Sequence, residues 1–343
     1  MAKKFKVGII GSGMISGSHL EAYKADKRVE VAWVADVLLD RAEARAKEFK
    51  VARAITDYRK GLKDVDAVSV CTPPFAHKTP VIDAARAGVH VLCEKPMALT
   101  TRDAKAMAAA CAKARVTLGI CSARAVHAGH LATRDLVRKG KLGKVYYSRV
   151  TSLRRRGRPG LDFWPNVTWF LNKKKAGGGA VMDIGCYDID MLLFVLGAPQ
   201  PVSVSASSET HIGSQRVPKG VIHDTEEHLS AFVRFANGAT AQFETAWAAN
   251  MVGGDFALYG TRGGVRLAKD SMFFGENAQG KTVDLPLKMA GFKSAGLQGD
   301  FVTACLARKA PYTPGTTGVK IMQIIEGALK SAKLGREVRV SEL

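Results

Sequence analysis

The chain has 343 residues, 47% of them hydrophobic, 24% charged and 7% aromatic, enough apolar content to build buried cores and exclude wholesale disorder. At roughly 150 residues per domain, this length predicts two domains. Lys and Arg number 51 against 31 Asp and Glu, and the resulting charge of +20 is spread along the chain without zinc-finger, basic-zipper or RNA-binding signatures, so a solvated cationic surface is expected rather than a nucleic-acid site.

The opening, Met1-Ala2-Lys3-Lys4-Phe5-Lys6-Val7, carries the charge of a signal sequence, but its apolar run is short and broken by Gly8, Gly11 and Gly13. No uncharged apolar run approaches the ~20 residues of a membrane-spanning helix. A soluble, cytoplasmic protein is expected. Residues 1–123 then alternate β-branched runs (6–10, 29–35, 67–71, 89–93, 116–121) with amphipathic stretches (15–25, 40–49, 77–87, 101–114). Strand followed by helix, repeated, predicts right-handed crossovers and a doubly wound parallel sheet. Thr100-Thr101-Arg102-Asp103 opens the last helix with a capping-box pattern. Cys71, Cys93 and Cys121 close strand-like runs as small buried residues. With six cysteines in all and no Cys-x-x-Cys pair, neither a disulfide scaffold nor a metal site is expected.

Four motifs sit where these strands end, the edge at which doubly wound sheets bind ligands. Gly11-Ser12-Gly13-Met14-Ile15-Ser16 follows the first strand and opens a helix. Gly11 suits a tight turn, Gly13 lets a pyrophosphate approach the backbone, and the helix N-terminus offers free N–H groups. Asp36 ends the second strand, where a carboxylate can accept both ribose hydroxyls of NAD and repel a 2′-phosphate; Arg41 close behind leaves NADP open. In Cys71-Thr72-Pro73-Pro74-Phe75-Ala76-His77, prolines stiffen the loop, and His77 is either a helix-start residue or a cofactor neighbour. Glu94-Lys95-Pro96 follows, with Pro96 holding Lys95 extended and its ammonium suited to stabilise charge on an alcohol or carbonyl.

After about residue 123 the texture changes. A helix is expected at 127–139, a strand at 145–152, and then a long loop rich in Arg, Pro and Trp. Gly177-Gly178-Gly179 introduces a helix over 180–196, stopped by Gly197 and Pro199. Strand-like runs follow at 202–208, 226–235, 239–248, 256–259 and 264–268, with Asn237-Gly238 marking a hairpin. A helix over 318–334 and a strand at 338–340 close the chain, so an α+β domain with an antiparallel sheet is expected over 124–343. On the 180–196 helix, Asp183, Tyr187 and Asp190 fall at i, i+4 and i+7 and share a face. Gly185 mid-helix costs about 1 kcal/mol against alanine, which implies that a ligand or neighbour comes close there.

Together, Gly11-x-Gly13, Thr72-Pro73, Glu94-Lys95-Pro96 and the run from Gly177 through Asp183, Gly185 and Tyr187 to Asp190 resemble the Gfo/Idh/MocA family of nicotinamide-dependent sugar and cyclitol oxidoreductases, across essentially the whole chain. The resemblance implies a Rossmann domain followed by a domain with a large open, mainly antiparallel sheet, through which members form dimers or tetramers. It implies that Lys95 polarises the reacting hydroxyl, Asp183 orients substrate or Lys95, and Tyr187, a histidine in many members, exchanges the proton. Trp169 matches a tryptophan near the nicotinamide, although Phe170 stands where arginine is common, and Arg124 matches an arginine after the last Rossmann strand. Cofactor contacts are thus expected from Gly11, Gly13, Met14, Ile15, Asp36, Arg41, Thr72, Pro73, His77, Glu94, Lys95 and Trp169. Substrate contacts are expected from Lys95, Arg124, Trp169, Asp183 and Tyr187. The activity implied is hydride transfer between NAD, or NADP, and a secondary hydroxyl of a sugar or polyol. An NAD-dependent glycosidase working through transient C3 oxidation, and a non-catalytic NAD-binding regulator, are the alternatives.

Overall fold

The structure, a computed structural model, describes residues 4–122, 126–213, 217–277 and 279–343. It divides into two compact units, one of Met1–Ala123 with Ser294–Val319, the other of Arg124–Lys293 with Lys320–Leu343.

In the first unit, β1 (Phe5–Ile10), α1 (Met14–Ala25), β2 (Val29–Ala35), α2 (Leu39–Glu48), β3 (Ala54–Ile55), β4 (Ala67–Val70), α3 (Lys78–Arg86), β5 (His90–Glu94), α4 (Thr101–Lys113) and β6 (Leu118–Cys121) follow one another. The described strands form one parallel sheet in the order β3-β2-β1-β4-β5-β6. Its strands are apolar on both faces, as a sheet covered by helices on each side requires; Val7, Ile9, Val34, Val68, Val70 and Val91 are wholly buried. The order reverses between β1 and β4, and this switch point places the loops after β1, β4 and β5 along one rim. Thr100 Oγ1 accepts the Asp103 N–H at 3.1 Å and caps α4.

The second unit contains α5 (Ala128–Arg138), β7 (Val145–Leu153), α6 (Lys173–Ala176), a π-helical turn (Val181–Gly185) leading into α7 (Cys186–Leu196), and then β8 (Pro201–Glu209), β9 (His228–Phe235), β10 (Thr240–Ala246), β11 (Gly253–Gly260), β12 (Gly263–Leu267), β13 (Met272–Glu276) and β14 (Thr282–Pro286). The chain then passes through α8 (Gly296–Ala307) in the first unit and α9 (Gly315–Leu334), and ends with β15 (Val338–Arg339). The described strands of the second unit form one sheet, β14-β13-β12-β11-β7-β10-β9-β8-β15, antiparallel except where β10 runs parallel to β7. Gly238, at φ +81°, makes the β9–β10 turn that Asn237-Gly238 predicts.

Two features differ from the sequence expectation. Residues 294–319, read with the second domain, belong to the first unit: Ile120 N–H donates to Thr313 O at 2.8 Å, Gly119 bridges Pro314, and Phe301 and Val302 of α8 are wholly buried. The element α8 and the strands β13 and β14 also lie outside the predicted set. The α8 sequence has no amphipathic stripe, and β14 is an exposed edge whose extension comes from pairing with β13. Among the described residues, no helix is long and apolar enough to cross a membrane.

Candidate functional site

The loop after β1 is shaped by what its glycines leave out. Gly11 has φ +95°, and a Cβ there would lie 2.9 Å from the Cys71 carbonyl carbon and the Thr72 nitrogen, so only glycine fits. At Gly13 a Cβ would meet nothing within 4 Å: the backbone faces open space. Gly13 caps α1 without any side-chain hydrogen bond, and no acidic residue occupies the first turn. Ser16, in place of the usual small third residue, is buried and turns its hydroxyl back onto Gly13 O at 2.6 Å. Free helix N–H groups beside an open backbone form an anion site, and the neighbouring Met14 and Ile15 are exposed beside it.

Asp36 stands directly behind this loop. Its Oδ2 accepts the Ser12 N–H at 2.9 Å and the Ser12 hydroxyl at 2.8 Å, and its Oδ1 accepts the Leu38 N–H at 3.1 Å. Burial works against charge on this carboxyl, but those hydrogen bonds and the nearby Arg41 guanidinium hold it below the ordinary carboxylate range. Arg41 is exposed and acts on Asp36 through its charge. Arg45, which the sequence analysis passed over, reaches the loop directly, with Nε 3.4 Å from Ser12 O and Nη2 3.3 Å from Gly13 O. Its position inside an amphipathic helix gave no local sign of that reach. Val37, Leu38 and Leu39 are exposed apolar residues that follow Asp36.

Further along the rim, Thr72 and Pro73 lead into a short turn before α3. His77 is wholly buried with both ring nitrogens against main-chain carbonyls: Nε2 is 2.7 Å from Thr72 O, and Nδ1 is 3.1 Å from Pro96 O. It therefore sits between the Thr72 loop and the Lys95–Met97 loop; burial pulls its pKa below 6.5, and the neutral ring has one N–H to donate to one of these carbonyls. Its ring nitrogens face main-chain carbonyls of the protein interior. Glu94 likewise turns inward, with Oε1 2.8 Å from His19 Nε2 and Oε2 accepting the Lys95 N–H at 3.1 Å. Both residues were expected to touch the cofactor; what they hold is the main chain on either side of half-buried Lys95, whose peptide to Pro96 is cis.

In the second unit, the glycine run is set by Glu226, another residue the sequence analysis missed. Its buried carboxylate accepts the Gly179 N–H at 2.8 Å and the Val181 N–H at 3.1 Å, while its carbonyl accepts the Ala180 N–H at 3.0 Å. A Cβ on Gly179 would lie 1.9 Å from that carbonyl oxygen, which explains the glycine. Gly185 is small because Thr245 and Val181 each come within 3.1 Å of a Cβ there, so its close approach is to protein. The π-helical turn over Val181–Gly185 interrupts the regular helix from which a common face was expected. Asp190 is wholly buried, and from residue 178 to 195 the two residues not buried are Asp183 and Tyr187. Asp183 Oδ2 accepts the indole N–H of wholly buried Trp247 at 2.9 Å. Trp169, half-buried, stacks on Phe170 at 3.9 Å between centroids, and Phe170 meets Trp247 edge-on.

Arg124 lies outside the described residues. The basic run at 154–158 is not one patch. Arg158 is wholly buried, paired with Asp162 at 2.8 Å and Glu227 at 2.9 Å, whereas Arg156 donates to Asn250 Oδ1.

The first unit's open glycine, uncapped helix and ionised Asp36 fit the diphosphate and ribose of a dinucleotide. Comparison with known proteins agrees. Residues 5–121 match the family described as "Oxidoreductase family, NAD-binding Rossmann fold", and residues 130–266 match the "GFO/IDH/MocA C-terminal domain". The chain is 30% identical over 342 residues, 97% of its length and 98% of the other's, to a 1,5-anhydro-D-fructose reductase from Ensifer adhaerens. It is 33% identical over 258 residues, 72% of its length and 71% of the other's, to a D-glucoside 3-dehydrogenase from Escherichia coli K12. Among solved structures, an aldose-aldose oxidoreductase from Caulobacter crescentus superposes with a TM-score of 0.79 at 26% identity, covering 98% of this chain and all of that one.

Proposed function

This chain belongs to the Gfo/Idh/MocA family of NAD-binding oxidoreductases, and from that premise we propose that it transfers hydride reversibly between NAD and a secondary carbinol of a sugar, cyclitol or sugar derivative. The substrate class follows the relatives, a reductase of an anhydro sugar and a dehydrogenase of glucosides. The observation that carries the reading is that Asp183 and Tyr187 alone are partly accessible along an otherwise buried stretch of 18 residues, 178–195. On that stretch a carboxylate and a phenol are the side chains solvent still partly reaches.

Gly11, Gly13 and the N-terminus of α1 hold the diphosphate, and Asp36 holds the adenosine ribose. Bound NAD supplies the hydride acceptor at its nicotinamide. In the oxidative direction, the Tyr187 phenolate takes the carbinol proton, and the resulting phenol returns it on reduction. A cation beside the ring favours its phenolate form, and Lys95 is the cation we assign. The Lys95 ammonium donates to the same oxygen and stabilises its developing charge. Asp183, held by the Trp247 indole, orients the substrate or Lys95, and the Trp169 ring gives an apolar face for the sugar or nicotinamide. Self-association through the nine-stranded sheet and a cytoplasmic location complete the reading. The former is supported by the half-exposed Tyr147–Tyr259 and Arg149–Asp255 pairs on that sheet, and the latter by six free, buried cysteines. Sedimentation velocity tests the former: a monomer removes it.

The deciding experiment is a screen of aldoses, inositols, uronates and glycosides with NAD and NADP, following both absorbance and released sugar. NADH formation without sugar release is expected. Sugar release without net NADH replaces the reading by the glycosidase, and tight NAD binding without turnover replaces it by the regulator. Lys95→Ala lowers turnover by about 10²–10⁴-fold with NAD affinity within about twofold; wild-type turnover in that variant removes Lys95 from the mechanism.

A further inference from the structure

Behind the rim that carries Lys95, the first unit holds a buried polar cluster that these steps leave unused. The parallel register sets Glu94 beside Cys121, and Cys71 follows the Val70↔Cys93 pair on the other side. His19, on the second turn of α1, covers this row: Nε2 lies 2.8 Å from Glu94 Oε1 and 3.7 Å from Cys121 Sγ. His19 is wholly buried, and Glu94 is 6% exposed. The remaining carboxylate oxygen accepts the Lys95 N–H at 3.1 Å.

We propose that His19 is a positioning residue that, through Glu94, fixes the main chain of Lys95 and so aims its ammonium. The inference rests on the reading of Lys95 given above. The hydrogen bond from the Lys95 N–H to the side chain of the preceding residue closes a small ring with no anchor of its own; His19 supplies that anchor from a different element. On the other side of Lys95, His77 reaches the Pro96 carbonyl. The main chain carrying the ammonium is thus held from α1 and from the Thr72 loop at once. A carboxylate this deep is costly unless paired and hydrogen-bonded, so the imidazole is also what lets Glu94 stay charged there. Burial opposes charge on both groups. The His19 hydrogen bond nevertheless holds Glu94 below its ordinary value, the direction of a carboxylate that its partner stabilises.

The test measures kcat, KM, NAD affinity by titration and thermal midpoint for His19→Leu and His19→Gln, each with Lys95 present and in Lys95→Ala. His19→Leu is expected to lower kcat about ten- to hundredfold, with NAD affinity within about twofold. His19→Gln, which keeps a donor for Glu94, is expected to recover most of that loss. In the Lys95→Ala background, His19→Leu is expected to change nothing further, because two residues acting as one unit are not additive. Additive losses, or a loss of NAD affinity equal to the loss of kcat, overturn the inference and leave His19 as a support of α1. Should Lys95→Ala turn over normally, the catalytic reading fails first and this inference falls with it. If His19→Leu does not fold, Glu94→Gln replaces it under the same expectations, since the amide presents an NH2 group where one of the two carboxylate oxygens accepted.

Discussion

At Asp36, a single carboxylate serves two tasks. It braces the glycine loop through Ser12, and on the proposed reading it also accepts from the cofactor's adenosine ribose. Its pKa is depressed by hydrogen bonds that outweigh burial, so it stays ionised as the pH falls, as the proposed repulsion of a 2′-phosphate requires. Asp36→Ser is expected to weaken NAD about ten- to hundredfold, because a charge-assisted hydrogen bond contributes about 1.5–3 kcal/mol, and to narrow the gap to NADP. Equilibrium titration with both cofactors checks this, and an unchanged ratio would remove Asp36 as the discriminator. Gly11→Ala forces a Cβ against the backbone of Cys71 and Thr72 at positive φ and should cost about 1–3 kcal/mol, read as a lower thermal midpoint.

Among elements, the junction of the glycine run, the π-helical turn and α7 depends on one side chain from outside it. Glu226 satisfies amides that a helix start leaves open, and Gly179 exists to let that residue's carbonyl in. Burial raises the Glu226 pKa against those amide hydrogen bonds, so the folded state binds a proton here more readily than the unfolded chain, and mild acid does not weaken the fold at this residue. Glu226→Ala strands the amides and should destabilise the second unit by about 2–4 kcal/mol. Differential scanning calorimetry would show it as a lowered transition with NAD affinity kept; an unmoved transition would mean that water replaces the carboxylate. The strand–helix alternation of the first unit was legible because period-2 and period-3.6 patterns are local. The π-helical turn was not, since it arises where Gly185 packs against Thr245, a residue 60 positions away along the chain.

For the whole molecule, the first unit is not a contiguous segment. Its edge strand β6 lends the Ile120 N–H to Thr313, and Arg28 after α1 donates to Thr303 Oγ1 of α8 at 3.0 Å. A fragment of residues 1–123 would expose the surface that buries Phe301 and Val302. It is expected to lack a cooperative thermal transition and measurable NAD binding, whereas joining residues 294–319 to it should restore both. The charge of +20 acts at this scale too. Diffuse cationic surface gives only counterion-release binding, so any affinity for DNA should fall by several powers of ten between 50 and 200 mM salt. Binding that survives that range would require a built nucleic-acid site.

By itself, the sequence determined the doubly wound sheet, the glycine loop with Asp36, the Glu94-Lys95-Pro96 rim and the helix bearing Asp183 and Tyr187, because each is written in neighbouring residues through turn chemistry, periodicity and strand ends. Only the tertiary structure decided that His77 and Glu94 face inward, that Asp190 is buried, that Arg158 is neutralised by Asp162 and Glu227, and that Arg45, Glu226 and His19 stand behind the exposed residues. These are contacts between residues dozens of positions apart, and the partner of a buried polar group is fixed by packing rather than by anything beside it in the chain.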